Sequence, residues 1–466
     1  MDRKILKNSG YLFISNILTR VLNAVSVIIL AGYIDSKGYG MFSVALAFAY
    51  VAGYFTDTGL VNTFIREASK PNIKLSIIIS SYIKLRIVLL VVTIGISIII
   101  INLFYNDGSL LKIMYYLCIP MIIGLTLQSI GTAYYQIKEQ MGFIALIRSL
   151  SGILSSMMII LGMNFKWGIS TISLSFGLSY LVVGILAFLL LFYNLEKFHF
   201  YLFEKKILAG IMSFIISGLI TILLPQLGVL IIEKTLSLEE VGLFSVALRI
   251  PVALYALPGV LAGAFFPVLY RHYNSGNIKD HEKLNVLQVK FMSMLGFLLS
   301  IPFLFYSEYI IEILFGNEWI KAGEYLQLLS LVLVLQSINF PLADGLTTSG
   351  KQAVRTKMLI YTVIVSFLSY LLFSTYLGLI GATIAALLTE SFFFIGLMYF
   401  QNNKIRYIRE GLAINLIGYI IILLLGSFIK LDGLIGILLY PVFYAMLILL
   451  LDKQIYCFLK KRLLSR

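Results

Sequence analysis

The sequence predicts an all-α membrane protein of about 14 transmembrane helices, arranged as two parallel six-helix lobes around a central cleft plus a C-terminal helix pair. Three observations predict it. Hydrophobic residues make up 60% of the 466 and charged residues only 12%, against about 45–50% and 25% in soluble domains. Uncharged runs such as Ile87 to Phe104, 18 residues long, approach the roughly 20 that a helix needs to cross a bilayer. Barrel strands would instead alternate over about ten residues. Third, Gly40-Met41-Phe42-Ser43-Val44-Ala45-Leu46 returns as Gly242-Leu243-Phe244-Ser245-Val246-Ala247-Leu248, near the start of the second apolar segment of each half. Such internal repetition decides the architecture into which other residues must fit.

In chain order, residues 1–9 are short and basic (Arg3, Lys4, Lys7) and a first apolar segment covers 10–33. Its length, the mid-segment Asn16, Arg20 and Asn23, and the lack of a small-x-small cleavage site identify a retained helix rather than a signal peptide. Segments at 38–62, 79–104, 110–135, 143–163 and 168–193 complete an N-terminal lobe, residues 1–195. A charged cytoplasmic linker, 196–205, leads to a second lobe, 206–402, with segments at 206–232, 241–268, 287–313, 322–347, 355–376 and 379–401. Residues 403–466 add two segments, 411–430 and 433–452, and a basic cytoplasmic tail. An even number of helices per repeat returns the second copy to the side where the first entered, so the lobes are parallel and related by an axis along the membrane normal.

Lys and Arg crowd cytoplasmic connections. With the N-terminus inside, only Lys37, Lys112, Lys166, Lys234, Lys321 and Lys430 fall on predicted outer connections, out of 36 Lys and Arg. A miscounted helix would scramble this alternation beyond it. The expectation is a multi-pass protein of the bacterial cell (inner) membrane with both termini cytoplasmic. Trp167 and Trp319, the two tryptophans, fall at predicted outer interfaces, where amphipathic rings are favoured. The net charge of +14 then reflects positive-inside bias and attraction to anionic lipid, and gives no reason to expect nucleic acid. Cys118 and Cys457, the two cysteines, cannot form a disulfide framework or a CxxC metal site.

A charge at mid-bilayer costs about 2.5–3.5 kcal/mol or more, so each one needs a reason. Six stand out: Arg20, Asp57, Arg148, Arg249, Asp344 and Glu390. Asn16, Arg20 and Asn23 follow helical spacing and make one polar stripe; Ser43, Tyr50, Tyr54 and Asp57 share a face of the second segment; Ser245 and Arg249 are four apart on the eighth. Stripes on these segments fit a hydrated cleft lined by Arg20, Arg249, Asn16, Asn23, Asp57 and Tyr54. The bland alternative is that Arg20 and Asp57 pair to glue helices, while Arg148 snorkels to the cytoplasmic face. Arginine in a membrane cavity suits an anion, because its planar fork grips phosphate or carboxylate through two hydrogen bonds and stays charged. Glu390 is a candidate for coupling transport to sodium or protons. Enzymatic signatures are missing: there is no GxxxxGK[ST], DxD or HExxH, and His199, His272 and His281 fall in predicted solvated loops. No cofactor or metal site is expected, and the protein is read as a transporter rather than an enzyme.

The turn Ser36-Lys37-Gly38-Tyr39-Gly40 with Phe42, then Asp57-Thr58-Gly59-Leu60 and Arg66, resembles the polysaccharide-biosynthesis flippases (Wzx type) of the multidrug/oligosaccharidyl-lipid/polysaccharide exporter superfamily. Arg249, Leu254-Tyr255-Ala256-Leu257-Pro258-Gly259 and Pro267 resemble the eighth helix of the lipid II flippases of that superfamily. The resemblance implies a two-lobe fold that alternates between inward- and outward-open states and carries an undecaprenyl-pyrophosphate-linked oligosaccharide repeat unit outward. It implies that Arg20 and Arg249 hold the pyrophosphate or acidic sugars. The C-terminal helix pair would lie where lipid II flippases form a groove for the lipid tail. The implied partners are the lipid-linked oligosaccharide, membrane lipids and a polysaccharide polymerase. Lipid II flippases draw a sodium site from acids on the seventh and eleventh helices, whereas segments 206–232 and 355–376 contain no acid, which leaves Glu390 as the substitute. Competing readings are a lipid II-type or multidrug exporter of the same superfamily and a membrane-embedded glycan polymerase or acyltransferase. An exporter of cationic drugs would place acids rather than arginines in the cleft. A polymerase would show a long outer loop or a catalytic His/Asp pair.

Overall fold

In a computed structural model, the structure describes residues 19, 22, 25–70, 75–195, 203–208, 211–429, 431–452 and 455. Among them the chain is helical, with no strand. The helices are α1 (Ser36–Phe55), α2 (Leu60–Ala68), α3 (Leu75–Phe104), α4 (Gly108–Ile137), α5 (Met141–Asn164), α6 (Ile169–Asn194), α7 (Ile211–Leu223), α8 (Leu227–Thr235), α9 (Leu238–Leu254), α10 (Ala256–Asn274), α11 (Ile278–Phe315), α12 (Ala322–Thr348), α13 (Gln352–Tyr399), α14 (Ala413–Phe428) and α15 (Gly433–Leu451). Helix is the form that satisfies every backbone polar group where no water can.

Eleven of these helical spans are long and apolar enough to cross a membrane, and the bent pair α7–α8 makes up to twelve. The predicted 14 also counted the first segment, 10–33, which lies largely outside the described residues, and divided 355–401 in two. The structure joins that stretch as α13, 48 residues long, but breaks it at Gly378, whose φ of 62° and ψ of −146° are non-helical. That backbone conformation suits glycine because it has no Cβ. The break falls between the two predicted segments.

The chain forms two compact units, Met1–Ser245 and Val246–Arg466. In the first, α4 and α6 pack with backbones nearly touching. A Cβ on Gly124 would lie 2.3 Å from the Tyr180 carbonyl carbon, and one on Gly184 would lie 2.6 Å from the Gly124 oxygen. Gly131 and Gly177 extend the contact one heptad along each helix, against Ala187 and Leu117. Small residues at this spacing let membrane helices pack without a hydrophobic driving force.

The internal repeat has a spatial meaning in the same unit. A Cβ on Gly40 would lie 1.9 Å from the Leu238 oxygen, and one on Gly242 would lie 2.1 Å from the Ser36 oxygen. The first turns of α1 and α9 therefore interlock reciprocally, each copy's leading glycine seated on the backbone of the other.

The second unit is organised on α11 and α12. Val286, Ile301, Leu342, Tyr419, Tyr444 and Ile448 belong to one buried cluster, so the C-terminal pair α14–α15 is packed onto the body of this unit. Polar contacts fix it along its length. Asn415 Nδ2 donates to the Lys290 carbonyl at 2.8 Å, Ser300 and Tyr419 share a hydrogen bond at 2.8 Å, and Tyr306 donates to the Leu431 carbonyl at 2.8 Å. Where α15 ends, Asp452 pairs with Lys290 at 2.7 Å, both about 95% buried. Trp319, in the turn between α11 and α12, is 2% exposed and packs beside Phe315.

Candidate functional site

The predicted second segment, 38–62, is interrupted near its end. Helix α1 stops at Phe55 and α2 starts at Leu60, and the turn between them places Thr58 at φ 44° and Gly59 at φ 78°. A left-handed Thr is costly, because a β-branched side chain crowds that conformation. Asp57 holds the turn. Its Oδ1 accepts from the Val61 amide at 3.1 Å, satisfying one of the orphan donors at the start of α2, and lies 2.8 Å from Nη1 of Arg86 on α3. Arg86 is 1% exposed, donates through Nη2 to the Thr126 carbonyl at 3.3 Å, and stands 5.9 Å from the Tyr82 ring centroid. Thr126 in turn donates to the hydroxyl of Thr56 at 2.9 Å. Two neighbouring helices thus grip the interrupted turn through polar atoms.

Tyr54, predicted to line the cleft with Asp57, is engaged on the protein. It is buried, and its hydroxyl donates to the Ile215 carbonyl at 2.6 Å, with the Phe214 carbonyl 3.2 Å away. Both acceptors are on α7, the first arm of a pair bent by 56°. In this structure Tyr54 fastens α7 to α1.

The second unit treats its membrane carboxylates differently. Glu390 on α13 accepts from Gln336 Nε2 at 3.0 Å and from Asn339 Nδ2 at 2.8 Å, and no ion pair to it occurs among the described residues. Gln336 and Asn339 are three apart on α12 and so present their amides together. Asp344, one turn beyond Asn339 and 5% exposed, accepts from Gln288 Nε2 at 3.0 Å. Its neighbours Asn285 and Tyr407 continue the network: Tyr407 donates to Asn285 Oδ1 at 2.7 Å and Asn285 Nδ2 to the Pro341 carbonyl at 2.8 Å.

Arg249 lies on α9, partly buried, and forms no ion pair among the described residues. Arg148 is exposed on α5. Asn16, Arg20 and Asn23 fall outside the described residues. The structure therefore separates the predicted set into Asp57 and Tyr54 on one interrupted span, Glu390 on α13 and Asp344 on α12, and Arg249.

Four further polar residues have surroundings that the sequence did not indicate. Arg86 starts the long uncharged run and reads as a helix-end residue; its position seven residues inside the predicted segment, one turn after Tyr82, is the signal. Lys290 and Asp452 each sit near a predicted segment end and give no hint of being partners. His281 was placed in a solvated loop, but α11 begins before it. It is 5% exposed with Nε2 2.7 Å from the Thr348 hydroxyl, because α11 and α12 pack side by side there. Among the described residues no group of three or more His, Cys, Asp or Glu could hold a metal ion. Cys118 is buried in the first unit, with Sγ donating to the Ala45 carbonyl at 3.2 Å.

A family model described as polysaccharide biosynthesis protein matches residues 5–273, more than half of the chain. The chain belongs to this polysaccharide biosynthesis family. No curated protein matches the sequence. This family member shares its fold with a lipid II flippase, MurJ, solved in an inward closed conformation. The TM-score is 0.75 at 16% identity, covering 97% of this chain and 100% of that one. It is similar in fold to an inward-facing multidrug resistance MATE transporter of the MOP superfamily, with a TM-score of 0.69 at 14% identity, covering 83% and 94%. A MOP superfamily transporter from Pyrococcus furiosus matches with a TM-score of 0.59 at 16% identity, covering 87% and 95%. The chain is thus a multi-pass transmembrane member of a polysaccharide biosynthesis family, built on a fold found among flippases and exporters.

Proposed function

We propose that the protein is a flippase that moves a polyprenyl-pyrophosphate-linked oligosaccharide repeat unit across the bacterial plasma membrane by alternating access, for surface polysaccharide assembly. The observation that carries this reading is the coincidence of the family match over residues 5–273 with a fold shared, across the whole of that chain, with a lipid II flippase. Arg249 supports it at residue level, as a guanidinium in a membrane helix with no acid beside it among the described residues. An anionic pyrophosphate would satisfy such a group through its fork. Arg20 is its proposed companion from the first segment. Both termini are cytoplasmic in this reading, and the product is handed to a polysaccharide polymerase on the outer side.

Coupling to a cation is proposed at Glu390. Two neutral amides hold its carboxylate and no basic side chain pairs with it among the described residues, so a proton or sodium ion would supply the missing charge. Deleting the gene in its host should abolish surface polysaccharide and accumulate the lipid-linked repeat unit on the cytoplasmic side. Unchanged surface polysaccharide would overturn the reading. Complementation with Arg249→Ala should fail at normal membrane levels, and Arg249→Lys should restore part of the export, because it keeps the charge and loses the bidentate geometry.

A further inference from the structure

The chain entering α14 is fixed to its unit by one face only. A short helix, Lys404–Arg406, and a π-helical turn, Tyr407–Leu412, lead into α14, and the stretch Lys404–Phe428 as a whole is long and apolar enough to cross a membrane. Tyr407, 2% exposed, turns inward and donates to Asn285 Oδ1 on α11 at 2.7 Å. Arg406 reaches the same way, with Nη1 3.3 Å from Glu282 and Nε 3.1 Å from Glu410. Ser293 of α11 donates to the Gly411 carbonyl at 3.2 Å. The opposite face carries Lys404, Ile405, Ile408 and Arg409, all exposed, with Ile405 at 76% and Ile408 at 52%. No ion pair to Lys404 occurs among the described residues, and its ammonium sits 4.3 Å from the ring centroid of exposed Tyr399. Arg409 is exposed too and reaches Glu410, which Arg406 already holds, only at 3.7 Å.

Two large aliphatic side chains and two cations on one face suit neither water nor the hydrocarbon core. Water disfavours the isoleucines, and unpaired charges are costly in hydrocarbon. The boundary suits both, since long basic side chains reach the headgroups while apolar ones rest against acyl chains. Charge then selects the headgroup. Lys351 joins this corner through its Nζ, 2.7 Å from Asn402 Oδ1. Lys351, Lys404, Arg406 and Arg409 together outweigh Glu282 and Glu410, and basic clusters beside a membrane helix attract anionic lipid. We propose that Lys404 and Arg409 hold the phosphate of an anionic phospholipid of the surrounding leaflet, with an acyl chain lying over Ile405 and Ile408. Arg409 supplies a fork that grips phosphate through two hydrogen bonds, and Lys404 a point charge. Tyr399 keeps the Lys404 ammonium on this face by cation–π attraction. The site belongs to the second unit alone and does not depend on the proposed transport activity.

The test is lipid binding by the full-length protein purified in detergent, titrated with phosphatidylglycerol or phosphatidylcholine and read by native mass spectrometry. The wild type should bind phosphatidylglycerol more tightly than phosphatidylcholine. Lys404→Gln with Arg409→Gln should weaken phosphatidylglycerol binding by about thirtyfold, the size expected for two basic side chains at an anionic surface, and leave phosphatidylcholine binding unchanged. Lys138→Gln with Lys357→Gln removes two exposed charges elsewhere and should change neither. Ile405→Ser with Ile408→Ser should weaken both lipids alike, because the acyl seat is lost while the charges stay. Equal binding of the two lipids by the wild type would overturn the inference. So would an equal loss of phosphatidylglycerol from the two charge-removing pairs, which would reduce the effect to overall charge. Displacement of phosphatidylglycerol from the wild type by an equimolar polyprenyl phosphate would overturn it as well, by making the face a cargo site.

Discussion

Asp57 and Glu390 are both carboxylates within membrane-spanning helices, and the chain keeps them by opposite means. Asp57 is held by charge: Arg86 lies 2.8 Å from one oxygen and the turn's own Val61 amide completes it. Glu390 is held, among the described residues, by the amide dipoles of Gln336 and Asn339 on α12. A guanidinium partner makes the two groups interdependent, because removing either leaves the other uncompensated. Amide donors tolerate either protonation state, because an amide can donate to a carboxylate or turn its oxygen to accept from a carboxylic acid. The first arrangement suits a fixed element. The second suits a group that changes its charge during a cycle, which is why coupling is proposed at Glu390 and not at Asp57.

The sharpest way to break this comparison is to remove the guanidinium. Arg86→Met should destabilise the protein by about 3–5 kcal/mol, the usual cost of leaving one member of a buried pair uncompensated. It would be read as a large drop in the temperature at which detergent-solubilised protein stays monodisperse. A shift as small as that of a surface substitution would mean that Asp57 is not held by charge.

A smaller effect is expected in the second unit. Asn339 Nδ2 donates both to the Glu390 carboxylate and, at 3.1 Å, to its backbone carbonyl. Asn339→Leu should therefore cost about 1.5–3 kcal/mol, the range for a hydrogen bond to a charged group. The same thermal assay checks it. Because no opposite charge is stranded, the loss should stay below that of Arg86→Met; the reverse order would mean that Glu390 depends on its amides as strongly as Asp57 depends on Arg86.

Much of this arrangement was legible in the sequence, and the boundary has physical causes. Membrane class and approximate segment positions follow from the bilayer's demand for long uncharged runs, and even the Gly378 break fell between two predicted segments. The repeat at Gly40 and Gly242 could be read as a register mark, but not as a contact, because sequence spacing says nothing about which backbones approach. Asp57 and Glu390 stood out because charges are rare at that depth. Their partners did not: Arg86, at the start of the uncharged run, was not among the six charges singled out, and Gln336 and Asn339 are neutral amides that no charge census flags. Tyr54 was read by helical periodicity onto the same polar face as Asp57. Its hydroxyl is nevertheless taken by α7, since a buried hydroxyl must find an acceptor and two carbonyls lie near it. His281 was misplaced because it lies near a predicted segment end, where packing between neighbouring helices rather than composition decides burial.

The smallest expected effect on stability belongs to Glu390→Gln, and it separates the two modes of holding a carboxylate most cleanly. The new side chain keeps one oxygen to accept from Gln336 or Asn339 and brings an NH2 group that needs an acceptor. One is at hand if the partly buried Gln336 rotates its amide and turns its oxygen toward the new donor, while Asn339 Nδ2 goes on donating to the new side-chain oxygen and to the backbone carbonyl. The change should therefore cost about 1 kcal/mol or less in the thermal assay, as expected when every buried donor retains a partner. Its effect on transport should be of another kind. A group that can no longer gain or lose charge cannot link the cargo step to a cation gradient, so export by Glu390→Gln should become insensitive to collapsing the sodium or proton gradient while the protein remains stable. Gradient dependence equal to that of the wild type, in a stable variant, would move the coupling site elsewhere. Asp344 would be the next group to test, since it lies on α12 with Gln336 and Asn339 and accepts from the neutral amide of Gln288.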